Sequence, residues 1–75
     1  MAREIIFYNL EAELLRAKLT KAELAAMVGI SYGSMSSKFT GKTDFNLGEM
    51  LIIKEKLEAL SSKVFTLDYL FMRGE

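Results

Sequence analysis

The stretch Thr20–Lys42, TKAELAAMVGISYGSMSSKFTGK, decides how the chain is read. Thr20 is placed to cap a helix, and Glu23 stands three residues on, where its carboxylate can bond back to the amide of the cap. Leu24, Ala25 and Val28 then recur at helical spacing and give that helix one apolar face. Gly29 follows, and glycine enters the left-handed conformation that ends helices without the clash of a Cβ. Ile30 is apolar, and Ser31 can cap a second helix in which Met35 and Phe39 stand four apart on one side. Gly41 stops it. The expectation is two short helices, about residues 21 to 28 and 32 to 40, joined by a tight turn at Gly29. Ala25 suits such a pair, because helices crossing steeply leave no room for a larger side chain at their closest approach.

A small residue, a glycine turn and a following apolar residue make the signature of a helix-turn-helix. Residues 19–42, LTKAELAAMVGISYGSMSSKFTGK, resemble the helix-turn-helix of phage repressors of the Cro and CI type. Within that group SSKFTGKTDF is similar to small Cro-like phage proteins, and LDYLF near the end resembles their short last helix. The likeness covers about residues 9 to 72. It implies an all-α, compact five-helix, lambda-repressor-like DNA-binding domain, with residues 1–75 forming one unit. One departure is Lys38, which occupies a place often filled by a buried aliphatic residue. Phe39 beside it is expected to take over that packing.

Composition narrows the chemistry. The 75 residues include no cysteine and no histidine, which removes disulfides, thiolate chemistry, the commonest general base and the commonest zinc ligand. No apolar run approaches the ~20 residues that span a bilayer, and no signal-peptide pattern opens the chain. The sequence reads as a soluble intracellular protein without a membrane segment, and the resemblance implies the cytoplasm of a bacterial host cell. It holds no glycine-rich phosphate loop, no metal-ligand cluster and no nucleophile beside a base. Neighbouring carboxylates such as Glu11 and Glu13 are ordinary on helix surfaces. No enzyme, cofactor or metal is expected.

The formal net charge is zero, whereas nucleic-acid binders usually carry a basic excess that neutralises phosphates. The distribution matters more than the total. From Arg16 to Thr43 the charges are Arg16, Lys18, Lys21, Lys38 and Lys42 against Glu23 alone, a net of +4. Residues 1–15 and 44–75 carry −2 each. Positive charge is concentrated on the motif, which favours phosphate contact there over a merely solvated surface.

Outward from the motif, Ile5-Ile6-Phe7-Tyr8 is too apolar for one helix stripe. It is either an extended arm or an early start to the first helix, and a lid on the core is preferred to a partner contact. That helix continues to about Lys18, with Leu10, Leu14 and Ala17 facing the core and Glu11, Glu13 and Arg16 outside. Lys42 to Phe45 is loop, where Asp44 would repel DNA if it faced the backbone. Asn46 caps a fourth helix in a second capping box with Glu49. Leu47, Met50, Leu51, Ile53, Leu57 and Leu60 make it the expected central core helix. Ser61-Ser62-Lys63 breaks the chain, and Thr66 caps a short last helix with Asp68 in its first turn. Tyr69, Leu70, Phe71 and Met72 give that segment more apolar surface than one face buries. The resemblance makes them the candidate dimer or partner interface.

Two functions fit these residues. In the first, a Cro-like repressor in the lysis/lysogeny switch binds double-stranded operator DNA as a homodimer. The third helix then lies in the major groove, where the resemblance puts Ser31, Tyr32, Gly33, Ser36 and Ser37 near the bases. Lys21, Lys38 and Lys42 would hold phosphates. None of the base-facing residues has the two-pronged grip of Arg on guanine or Asn on adenine, so such a face fits DNA closely but specifies it weakly. In the second, the same scaffold is a modulator of repression, an antirepressor that binds a phage repressor protein.

Overall fold

The computed structural model describes residues 6–74, and Ile5, at the head of the apolar run, lies outside them. Five helices and no strand occur among the described residues: α1 (Tyr8–Arg16), α2 (Lys21–Val28), α3 (Tyr32–Phe39), α4 (Leu47–Ser61) and α5 (Leu67–Leu70). Their order and bounds follow local chemistry. Thr20 accepts a hydrogen bond from the Glu23 amide at 3.0 Å while the Glu23 carboxylate accepts one from the Thr20 amide at 2.9 Å. Asn46 and Glu49 repeat the arrangement at the head of α4, at 2.8 and 3.0 Å. Ser31 and Thr66 cap α3 and α5 through their hydroxyls. Each cap satisfies an amide that the helix itself leaves without a partner.

Helix ends are made by left-handed residues. Gly29 (φ 91°) closes α2 and Gly41 (φ 86°) follows α3, at the two glycines expected to do so. The other two, Lys18 (φ 57°) after α1 and Ser62 (φ 56°) after α4, carry a Cβ in that conformation. After α1 the Leu19 amide bonds back to the Leu14 carbonyl and the Lys18 amide to Leu15, the paired closure of a Schellman turn.

The core is gathered where all five helices meet. Leu10 and Leu14 of α1, Leu24 and Ala25 of α2, Met35 and Phe39 of α3, Ile53 and Leu57 of α4 and Leu70 of α5 are buried there. Phe7, Phe39, Phe45 and Phe71 add an edge-to-face aromatic cluster with ring centroids 5.1–6.4 Å apart, tying the N-terminal segment to α3 and the chain after α5. Phe7 and Ile6 thus act as a lid on the core, as preferred, while Tyr8 is exposed. The Cα radius of gyration, 11.5 Å, matches the ~11 Å of a compact chain of this length.

Three expectations are corrected. Glu13 is not on the outside of α1 but buried, because Tyr69 and Arg16 both donate to its Oε2, at 2.8 and 2.7 Å. Helix α4 is central on one side only. Ile53 and Leu57 are buried and Met50 is half-buried, whereas Leu47, Leu51 and Leu60 are 48–60% exposed. Ile53, Leu57 and Met50 join the core that α4 shares with α1, α2 and α5, and Leu47, Leu51 and Leu60 lie outside it. Leu70 is wholly inside the monomer and so offers nothing to a partner. Tyr69 and Phe71 are half-buried against the same core, leaving Met72 as the one exposed member of the proposed interface.

Candidate nucleic-acid interface

Helices α2 and α3 pack against each other and are linked by Gly29-Ile30-Ser31. The turn is closed by amides of Gly29 and Ile30, which both donate to the Ala25 carbonyl, at 2.8 and 3.0 Å. Ala25 itself is buried in the core. Met35 and Phe39 point into the core and hold α3 by its inner face. The opposite face is polar and small. Ser31, Tyr32, Gly33 and Ser34 are exposed, and Ser36 and Ser37 are half-buried.

Ser31 is occupied in part by capping: its hydroxyl accepts from the Ser34 amide and donates to the Ser34 hydroxyl, both at 3.1 Å. Tyr32 is 58% exposed and stands at the first turn. An open groove of about 660 Å³ runs along this face between α3 and the head of α4. Its lining includes Ser31, Gly33, Ser34, Ser37 and Lys38 with Thr43 and Glu49.

The cations are arranged differently from the sequence reading. The Lys38 ammonium lies 3.0 Å from Glu49 Oε1 and donates to the Asp44 carbonyl at 3.0 Å, with only 13% of its side chain exposed. It ties the last turn of α3 to the loop and to the capping box of α4. Partial burial pushes the Glu49 carboxyl up. The Asn46 amide and the Lys38 ammonium outweigh that and hold it below the usual glutamate range. Lys21 is also turned inward, 3.4 Å from Glu11 Oε1 and 4.7 Å from the centre of the Phe39 ring. Both side chains are committed to bonds within the domain, which revises the expectation that they hold phosphates. Lys42 is exposed on the loop after α3, as expected.

One neighbour was missed. Arg73, from the chain after α5, reaches the same loop: its Nη2 lies 3.2 Å from the point where a Cβ on Gly41 would sit. Its guanidinium is 5.6 Å from the Phe7 ring centre, and Nη1 is 3.9 Å from Asp44 Oδ1. No signal in the order of residues joins position 73 to position 41; the fold alone does so.

Among the described residues no group of three or more acidic side chains is placed to hold a metal ion, and no helix is long and apolar enough to cross a membrane. Comparison with protein-family models, with curated proteins and with solved structures finds no match.

Proposed function

We infer that α2 and α3 act as a helix-turn-helix within a five-helix, lambda-repressor-like domain, and that the chain is a DNA-binding transcriptional regulator of the Cro-like repressor kind. The observation that carries this is the outer face of α3. It is an exposed strip of hydroxyls and glycine on a helix whose inner face is clamped in the core by Met35 and Phe39. A helix so held can enter a major groove without rearranging, and small side chains let its backbone approach closely. Tyr32, Gly33, Ser36 and Ser37 approach the bases in this reading, and Ser31 fixes the start of the helix. Lys42 holds a phosphate on the loop beyond.

A second reading has its own support. With Lys21 and Lys38 bonded internally, the face is less basic than the sequence implies, and Leu47, Leu51, Ile52 and Leu60 are exposed on α4. A nearly neutral face beside exposed apolar side chains suits a protein partner, as in an antirepressor acting on a phage repressor. Fluorescence anisotropy on duplex operator DNA, with and without a cognate repressor, separates the two. Binding by the chain alone at low salt, falling steeply as salt rises, supports the first. Binding only when the repressor is present selects the second.

A further inference from the structure

We propose that Arg73 is a phosphate-binding residue, gripping the DNA backbone together with Lys42 on the loop at Gly41. This rests on the DNA-binding reading above and adds to it a contact from the far end of the chain. Three features place it. Gly41 has no Cβ, and a side chain there would meet Arg73 Nη2 at 3.2 Å, so the guanidinium lies directly against the loop backbone. Lys42 is the next residue and is exposed. Arg73 is half exposed at 50%, and its guanidinium lies 5.6 Å from the Phe7 ring centre, so the ring steadies one side of the charged end while half of the side chain stays open to solvent. Among the described residues its acidic neighbour is Asp44, which is 88% exposed and 3.9 Å away, beyond hydrogen-bond length, so that pair leaves the guanidinium donors for another oxygen pair. Guanidinium is the side chain that matches a phosphate with two parallel donors. The loop following α3 thus holds two cations where the sequence order shows one.

The test uses the full chain and a random-sequence DNA duplex, with affinity measured from about 50 to about 200 mM salt. Each phosphate contact steepens the loss of affinity over that range by a factor of about 3.5. Arg73→Gln should weaken binding at low salt and reduce that loss by the same factor, Lys42→Gln should do likewise, and Arg73→Lys should retain most of it. Thermal melting of each variant confirms that the domain is intact, and Arg73→Lys separates charge from packing on Phe7. If wild type binds and Arg73→Gln keeps the wild-type salt dependence, the assignment of Arg73 is overturned while the DNA reading stands. If wild type does not bind the duplex at low salt, both fall.

Discussion

The Tyr69 hydroxyl donates a 2.8 Å hydrogen bond to Glu13 Oε2, joining α5 to α1 across 56 residues. Arg16 bonds the same oxygen from the next turn of α1, and the Asn9 side chain donates to the Tyr69 carbonyl at 2.9 Å. Glu13 Oε1 is buried without a protein partner, so the carboxylate depends on the two donors at its other oxygen. Removing one leaves a buried charge under-satisfied, a larger loss than the net worth of the bond. Tyr69→Phe is therefore expected to destabilise the domain by about 1–3 kcal/mol. Urea unfolding measures this, and a Glu13→Gln, Tyr69→Phe double-mutant cycle should show the two effects coupled.

Stability should fall at both ends of the pH scale, for opposite reasons. Glu49 is held below the ordinary 4.5 of a glutamate, since Asn46 and Lys38 outweigh its partial burial. Glu58 is lowered by the Phe65 amide first and Lys54 second. A carboxylate with a depressed folded pKa contributes fully above its unfolded value, and the contribution is lost as pH falls through the folded one. Melting temperature should drop below about pH 4.5, and the Glu49→Gln, Glu58→Gln variant should show a shallower drop. Tyr69 is raised above 10.0, chiefly by its bond to Glu13. Its contribution is present below pH 10 and is lost as pH rises towards the folded value. Wild type should lose stability in that alkaline range, and Tyr69→Phe should not show that component.

Lys38 and Lys42, four residues apart, should behave as different kinds of residue. Lys38→Met breaks the ion pair to Glu49 and the bond to the Asp44 carbonyl, costing about 1 kcal/mol of stability. In the DNA reading it leaves the slope of log affinity against log salt unchanged. Lys42→Gln should leave stability alone and reduce that slope by about 0.9. A salt slope that drops for Lys38→Met at unchanged stability would return Lys38 to the phosphate contacts.

Two leucines of α4 test how the core is drawn. Leu57 is wholly buried and Leu51 is 48% exposed. Leu57→Ala should cost about 2–5 kcal/mol, enough to unfold much of so small a domain, whereas Leu51→Ala should change stability by less than about 0.5 kcal/mol. Equal losses at both positions would mean that α4 is buried on both sides.

The left-handed positions predict opposite signs for opposite substitutions. A Cβ at Gly29 would meet nothing within 4 Å, so Gly29→Ala is opposed by backbone conformation alone, at about 1–2 kcal/mol. Ser62 occupies the same region with a side chain, and Ser62→Gly should raise stability by up to about 1 kcal/mol. Chemical denaturation of the two variants reads both.

What the sequence determined by itself lies within one helical turn of its cause. Thr20 with Glu23 and Asn46 with Glu49 set where α2 and α4 begin, Gly29 and Gly41 set where α2 and α3 end, and Met35 with Phe39 set which face of α3 turns inward. Each depends on bonds or contacts three to five residues apart, so residue order is sufficient to place them. The left-handed turns at Lys18 and Ser62 are the local exception: neither residue is of the type that favours that conformation. Tertiary structure alone decided that Glu13 would be covered, because its partner Tyr69 stands 56 residues away. It decided that Lys21 and Lys38 would bond inside the domain rather than face outward, through Glu11, Phe39 and Glu49 on neighbouring elements. It also left Leu51 and Leu60 uncovered and brought Arg73 against Gly41. Periodicity states that a side chain is apolar or charged and which way it leaves its helix, but burial and pairing require a second element to arrive. Which elements arrive is settled only when all five pack at once.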